Sequence, residues 1–182
     1  MFQPHSTSSR LGGTFGRVLS STSTMEIRPL SDADLPLVAA LSRRIWPLAY
    51  AGILTPAQID NILHRVYSVE HLQIEMASGH RFWAAYDDDA ALGFVSGYRD
   101  GAAIWIKKLY VLPEAQHRGI GRALIAAVIG AFGPASEARL LVNSGNAAAQ
   151  AAYQRLGFAR AATLPVTMGD CEFTDYLYVK PL

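Results

Sequence analysis

The stretch Gln116-His117-Arg118-Gly119-Ile120-Gly121 lies between a long apolar run, residues 103–112, and an apolar stripe of helical spacing. The run ends at Pro113, which cannot donate to a strand ladder, so the pattern predicts a central strand, a turn and a helix. Glycines at such a turn let consecutive backbone N–H groups converge and, with the helix dipole, bind phosphate. Arg118 and Arg122 add positive charge. The stretch therefore predicts an anion site, with an ordinary tight turn as the alternative.

Two common nucleotide-binding signatures do not fit this turn. A dinucleotide fingerprint requires a third glycine where Leu124 stands, and an acidic residue about 20 residues further on in a matching setting. A Walker loop requires Gly-Lys-Ser/Thr, which the chain lacks. Both nucleotide interpretations are therefore weakened.

The rest of the chain predicts helices that cover a mixed sheet. Ser31 and Asp34 have the spacing of a capping box before a helix whose apolar residues recur up to Ile45, and Pro47 interrupts that pattern. Thr55-Pro56 begins a second helix. Strands are predicted at 26–30, 82–86, 92–98, 103–112, 138–142, after Phe158 and at 172–179. Two further helices are predicted at 124–131 and 149–156. The fold class is therefore α/β or α+β in one domain, with a mixed central sheet flanked by helices.

Composition favours a small-molecule function. The chain has 182 residues, 51% hydrophobic and 17% charged, which suits one domain with a sizeable core. A net charge of +1 without a long basic run disfavours nucleic acid, and no apolar run reaches the roughly 18 residues of a membrane span. Cys171 is the only cysteine, and no Cys/His spacing suggests a metal. We expect a cytoplasmic protein without nucleic acid, membrane or metal partners.

The first 24 residues differ from the rest in composition. They are rich in Ser, Thr and Gly, contain Arg10 and Arg17, and hold no acidic residue. They also lack the apolar core of a secretory signal. A strand-like run begins at Met25, so we expect residues 1–24 to form a disordered N-terminal extension and residues 25–182 to form the domain.

A second signal follows the short strand that ends at Val142. It consists of polar, small and aromatic residues at fixed spacing: Asn143, Asn146, Ala149, Tyr153 and Gly157-Phe158. After a Gln-x-x-Gly-x-Gly turn, this order and spacing resembles the Gcn5-related N-acetyltransferase (GNAT) family. The resemblance covers most of the chain from Met25 to Lys180 and implies a mixed, splayed sheet. It also implies an N-acetyltransferase that uses acetyl-coenzyme A as co-substrate.

The resemblance assigns most of the motif residues to binding of the coenzyme. The strand Leu109-Tyr110-Val111 would hydrogen-bond the pantetheine arm and direct one N–H at the thioester carbonyl, where it stabilises the transition state. Asn146 would contact the coenzyme or cap a helix. The pyrophosphate would be held by the turn, whose residues are Gln116, His117, Arg118, Gly119, Ile120, Gly121 and Arg122.

The same resemblance makes Tyr153 the general acid toward the departing thiol. From the helical stripe that it shares with Ala149 and Leu156, we would predict a core tyrosine instead. A tyrosine of pKa about 10 gives its proton to a thiolate of pKa about 8.5 at a cost of roughly 2 kcal/mol. Hydrogen bonding to the thiolate is therefore enough for the role.

Neither the general base nor the acceptor is identified. Strand 103–112 has no carboxylate at a position where some relatives carry a glutamate. Glu172, Asp175 and Tyr50 are candidate bases, although a solvated or structural role explains each of them better. Trp46 and Tyr50 are candidate acceptor-pocket residues or core aromatics.

Three functions stay open. The first is acetyl transfer to a primary amine of a small molecule or peptide, by direct attack in a ternary complex. The second is a non-catalytic acyl-CoA sensor or interaction module, and the third is a protein N-terminal acetylase. Tyr153 favours an enzyme, and Cys171 has no His partner motif that would make it an acyl carrier. A homodimer also stays open, because edge strands such as 172–179 could pair between subunits.

Overall fold

The computed structural model describes residues 25–168 and 171–182, so the predicted extension lies outside the described residues. The strands run as β1 (Met25–Leu30), β2 (Arg81–Asp87), β3 (Ala90–Asp100), β4 (Ala103–Val111), β5 (Glu137–Asn143), β6 (Ala159–Met168) and β7 (Cys171–Pro181). The helices are α1 (Leu35–Ala49), α2 (Pro56–Val66), α3 (Val69–Ala77), α4 (Ile120–Ala131) and α5 (Ala147–Arg155). None of these helices is long and apolar enough to cross a membrane.

The strands form one seven-stranded sheet in the order β1-β2-β3-β4-β5-β7-β6. The prediction of an edge strand at 172–179 is therefore wrong, because β7 pairs with β5 on one side and with β6 on the other. Every neighbouring pair is antiparallel except β4 and β5, which run parallel. The parallel pairing begins at Ala103 with Glu137 and ends at Ile106 with Leu140. Beyond this point β4 and β5 diverge, which confirms the mixed sheet and leaves a gap at its centre.

A β-bulge lies where β4 leaves β5. Ser96 pairs with Lys108 and Gly97 pairs with Ile106, so Lys107 has no partner on β3. An extra residue of this kind bends its strand and increases the local twist. The bulge therefore helps to turn the second half of β4 away from β5.

Helices cover both faces of the sheet. On one face α4 packs so closely on β3 that a Cβ at Gly97 would lie 2.5 Å from the Val128 side chain. On the other face Lys108 of β4 pairs with Glu75 of α3, beside α1 and α2. In α5, the Tyr153 ring packs near Tyr178 of β7. The sheet therefore separates α4 on one face from α3 on the other.

Three local features differ from the sequence expectations. The capping box at Ser31 caps a short 3-10 turn, Asp32–Asp34, and α1 begins only after it. Pro47 does not end α1, which continues to Ala49: the proline removes its own N–H donor, but the Tyr50 N–H still bonds to the Trp46 carbonyl. Helix α3 was not predicted, since Leu72 is its one fully buried residue and its apolar stripe is weak.

Candidate active site

A cleft of about 990 Å³ occupies the gap between β4 and β5. It extends to the first turn of α4 and along α5. Two of the predicted residues do not line it: Trp46, which is 1% exposed, and Arg118. The other predicted site residues do line it: Tyr50, Leu109, Tyr110, Val111, Gln116, His117, Gly119, Ile120, Gly121, Arg122, Asn146 and Tyr153.

The turn before α4 presents free backbone donors to the cleft. The first hydrogen bond of α4 runs from the Ala123 N–H to the Gly119 carbonyl, at 3.1 Å. The amides of Ile120, Gly121 and Arg122 therefore have no carbonyl partner within the helix. His117 and Gly119 both adopt left-handed backbone conformations, with φ of 62° and 79°. Such a turn with a helix N-terminus makes an anion-binding concavity.

The space in front of these amides fits a phosphate group. A Cβ added to Gly119 or to Gly121 would meet no protein atom within 4 Å. The left-handed backbone explains the glycine at Gly119. Neither backbone conformation nor protein packing requires a glycine at Gly121. The open space at Gly121 leaves room for a ligand to approach the backbone closely.

The two arginines of the turn have different surroundings. The Nη2 atom of Arg118 lies 2.6 Å from Oδ2 of Asp87, at the end of β2, so this side chain anchors the turn to the sheet. Arg122 is exposed on the cleft wall and has no ion pair in the part of the chain that the structure describes. Of these two arginines, Arg122 is therefore the one whose side chain is available to an anion.

The diverging half of β4 offers an unpaired strand edge. From Lys108 to Val111, β4 pairs with β3 but no longer with β5, and the bulged Lys107 pairs with neither strand. Along such a segment, alternate N–H and C=O groups point away from β3 and into the gap. Apolar side chains, including Leu141 and Ala149, line the cleft beside this edge. The edge suits an extended ligand that carries amide groups.

Tyr153 projects from α5 at the wall of the cleft. Its ring centroid lies 6.1 Å from that of Phe158 and 6.4 Å from that of Tyr178. Within the described residues its hydroxyl group has no hydrogen-bond partner. Burial, with a smaller contribution from Tyr50, raises the pKa of Tyr153 above its usual value of 10.0. The phenol is therefore a donor that keeps its proton at neutral pH.

Asn146 is a helix cap. Its Oδ1 atom accepts a hydrogen bond from the Ala149 N–H at 3.0 Å, at the start of α5. The same residue lines the cleft. Capping occupies the oxygen of the amide, and coenzyme contact stays a prediction for the nitrogen.

Aromatic side chains form the wall toward α1. The rings of Trp46 and Tyr50 stack with centroids 4.2 Å apart, and the hydroxyls of Tyr50 and Tyr110 lie 3.3 Å apart. Burial raises the pKa of both tyrosines. Trp46 therefore supports Tyr50 from the core, while Tyr50 reaches the cleft.

The sequence interpretation missed two lysines in β4. Lys107 is exposed at the bulge and lines the cleft. Lys108 is buried and bonded to both carboxylate oxygens of Glu75, with Oε2 at 2.6 Å. Adjacent lysines inside an apolar strand were the available signal, because lysine is rarely buried without a partner.

Comparisons with known proteins agree with this geometry. Residues 51–179 match the family profile of the acetyltransferase (GNAT) domain. The spermidine N(1)-acetyltransferase of Thermoplasma acidophilum is 30% identical over 142 residues, covering 74% of this chain and 88% of that protein. A probable N-acetyltransferase of Mycobacterium tuberculosis is 28% identical over 141 residues, covering 75% of this chain and 80% of that protein.

Solved structures share the fold. The PaiA N-acetyltransferase from Thermoplasma acidophilum, in complex with coenzyme A, superposes with a TM-score of 0.75 at 26% identity, over 87% of this chain and 99% of that one. A GCN5-related N-acetyltransferase from Rhodopseudomonas palustris gives a TM-score of 0.72 at 21% identity, over 88% and 97%. The chain therefore belongs to the GNAT family of acetyltransferases.

Proposed function

We propose that the protein transfers the acetyl group of acetyl-CoA to a primary amine of a small aliphatic acceptor, by direct attack in a ternary complex. One observation carries this proposal. A single cleft joins an anion-binding helix start, an unpaired strand edge and the free hydroxyl of Tyr153. When bound, acetyl-CoA supplies an activated acetyl thioester.

The turn and α4 would hold the pyrophosphate. The amides of Ile120, Gly121 and Arg122 donate to it, and the Arg122 guanidinium adds charge. Gly121 leaves room for this contact. The anchoring of Arg118 to Asp87 fixes the turn before the ligand arrives, so little conformational entropy is lost on binding.

The β4 edge would align the pantetheine arm and the thioester. Its gap-facing N–H and C=O groups pair with the amides of the arm, as a neighbouring strand would. One N–H from Leu109–Val111 donates to the thioester carbonyl oxygen. Because negative charge develops on that oxygen only in the transition state, this donor accelerates the reaction.

Tyr153 would assist departure of the sulfur. Its raised pKa keeps the phenol protonated, so it donates a hydrogen bond as the C–S bond breaks. Full proton transfer to a thiolate of pKa about 8.5 is uphill for a group whose pKa exceeds 10. The hydroxyl group therefore stabilises the leaving group without losing its proton.

The acceptor class is inferred from the relatives. This chain aligns with 88% of the length of the spermidine N(1)-acetyltransferase. A polyamine such as spermidine carries unhindered primary amines. Polyamines are therefore the first acceptors to test.

The test measures the release of free thiol from acetyl-CoA with polyamines, amino acids, aminoglycosides and short peptides. We expect turnover with polyamines and at least a tenfold fall in kcat for Tyr153→Phe, with acetyl-CoA affinity unchanged, because a general acid typically contributes about 10²–10⁴-fold and a hydrogen-bond donor that keeps its proton contributes less. Tyr86→Phe is the matched control. Tyr86 lies on β2, under the Arg28 guanidinium and outside the cleft, so this variant keeps its activity.

Other outcomes would point elsewhere. Micromolar acetyl-CoA binding without turnover on any amine would favour the sensor. Turnover restricted to peptide α-amines, with little pH dependence near pH 8, would favour the N-terminal acetylase. An absence of acetyl-CoA binding would contradict the assignment of the cleft.

A further inference from the structure

A second, smaller recess adjoins the cleft on the α1 face of the sheet. Its volume is about 20 Å³, which holds one water-sized group. A primary ammonium group has about this size. The recess is lined by Trp46, Tyr50, Leu54, Asn143, Phe173 and Asp175.

Asp175 is the acidic group of this recess, and it is poorly satisfied. The residue is 8% exposed, and its side chain accepts one hydrogen bond within the described residues, a long one of 3.5 Å from Nδ2 of Asn143. Asn143 is itself held by the Gly145 N–H, which donates to its Oδ1 at 2.9 Å. A buried carboxylate with so few donors is costly unless a cation completes its coordination.

The recess lies next to the reaction gap. Val142 lines the cleft, and Asn143, the next residue of β5, lines the recess. Tyr50 lines both, so its ring is a shared wall. A group bound at Asp175 therefore lies beside the place where the thioester would be held.

The charges around Asp175 are few. Among the described residues, Lys107 of β4 is the cation whose field lowers the pKa of Asp175. Leu164, which pairs with Asp175 on β6, is uncharged. Tyr50 of α1 is the nearby phenol. Burial raises the pKa of Asp175, while the Asn143 hydrogen bond and Lys107 lower it. The net increase makes the carboxylate a stronger base than an exposed one.

We infer, resting on the proposed function, that Asp175 receives the ammonium group that is to be acetylated and takes its proton. One proton passes from the nitrogen to the Asp175 carboxylate and then to solvent. The nitrogen lone pair forms the C–N bond at the carbonyl carbon, and the C–S bonding pair leaves with the sulfur. The second proton lost by the nitrogen ends on the sulfur as the coenzyme A thiol.

The recess also selects the acceptor. Its small volume admits an unbranched primary ammonium, and the rings of Trp46, Tyr50 and Phe173 line it, as in cation sites built from aromatic side chains. A substituent on the reacting nitrogen would exceed the space. Primary amines are therefore favoured over secondary amines, and a tertiary amine has no N–H that an acetyl group could replace.

The experiment follows kcat/KM from pH 6 to pH 10 in Asp175→Asn, with the most active amine of the panel. At pH 7 only about one in 2,500 molecules of an amine of pKa 10.4 is neutral, so the missing base matters most there. We expect about a 100-fold loss at pH 7 that shrinks below tenfold by pH 10, where solvent deprotonates the amine. Asp175→Glu retains a carboxylate and recovers part of the activity at pH 7.

Two controls separate this role from a structural one. Asp100→Asn makes the same change at an exposed site at the end of β3 and leaves the profile unaltered. Acetyl-CoA affinity stays unchanged in Asp175→Asn. A loss that is equal at every pH, or no loss, would overturn the inference while leaving the proposed function intact. A wild-type protein that acetylates no amine would overturn both.

Discussion

Gly121 is a glycine that the fold itself does not require. It sits in the first turn of α4 in a conformation that any residue can adopt, with open space where a side chain would project. Alanine has a higher helix propensity than glycine. Neither the backbone nor the packing requires glycine here, and the proposed anion site offers a reason for it.

We predict that Gly121→Ala weakens acetyl-CoA binding while raising stability. A Cβ would enter the space in front of the amides, and we expect about a tenfold loss of affinity, equivalent to about 1.4 kcal/mol. Stability should rise by up to about 1 kcal/mol. Calorimetric titration and urea unfolding measure the two effects.

Gly130→Ala provides the matched control. Gly130 lies in the last turns of the same helix, and a Cβ there also meets no atom within 4 Å. This variant should gain the same kind of stability with unchanged coenzyme binding. Equal loss of affinity in both variants would contradict the assignment of the anion site.

Site residues were predictable from the sequence where they belong to a local motif. The glycine turn was predicted from its own spacing and Tyr153 from the resemblance to the GNAT family, and both line the cleft. The pairing of Arg118 with Asp87 was not predictable, because 31 positions of chain separate the partners. The burial of Asp175 likewise depends on the pairing of β7 with β5.

At the scale of elements, one buried ion pair joins α3 to β4. The Lys108 side chain is 3% exposed and that of Glu75 is 12% exposed, and the ammonium also lies 5.3 Å from the Tyr67 ring centroid. Burial lowers the pKa of Lys108, and the Glu75 charge opposes that shift. The pair therefore fixes where α3 sits on the sheet.

We predict a large loss of stability for Lys108→Met alone. It leaves Glu75 as a buried carboxylate without its partner, which typically costs about 3–5 kcal/mol. The double variant with Glu75→Met should lose clearly less, because it removes both charges. Denaturant unfolding of the two variants measures the difference.

The exposed pair of Arg44 and Glu114 serves as the comparison. Their side chains are 60% and 62% exposed, so Arg44→Met should cost less than about 1 kcal/mol. If the double variant at Lys108 and Glu75 is as unstable as Lys108→Met alone, an unpaired buried charge does not explain the loss of stability. The dependence of α3 on this long-range pair also explains why its own sequence did not predict it.

The whole molecule consists of two half-sheets joined by a short parallel seam. β1 to β4 form one antiparallel half and β5 to β7 form the other. They share four residue pairs, from Ala103 with Glu137 to Ile106 with Leu140. A coenzyme that contacts β4 and α5 across the gap would tie the halves together.

We predict that coenzyme A slows amide hydrogen exchange most strongly at residues 107–111 and 120–122. These segments contain the unpaired edge and the free helix amides. The melting temperature should also rise, because coenzyme A at a concentration of 100 times its Kd stabilises the folded protein by about 2.7 kcal/mol. Mass spectrometry reads the exchange, and β1 provides the internal reference.

A uniform slowing of exchange across the sheet would contradict the proposed binding mode. In Gly121→Ala the same coenzyme concentration should give weaker protection of residues 107–111. This result would show that one ligand contacts both the anion site and the strand edge.

The overall architecture was largely predictable. The family, the mixed sheet and the enzyme class were predicted from two motifs in order, and all three are confirmed. The insertion of β7 between β5 and β6 was not, because strand order depends on contacts between distant segments. The prediction of a cytoplasmic protein remains untested.

The divergence of β4 and β5 also bears on inhibitor chemistry. An open edge in the middle of a sheet accepts main-chain hydrogen bonds from any extended backbone of suitable width. A short peptidomimetic, two or three amides long, could lie along Leu109–Val111 with an anionic tail at the start of α4. Such a compound would be uncharged except at its tail, and it would need neither the adenine nor the ribose of the natural ligand.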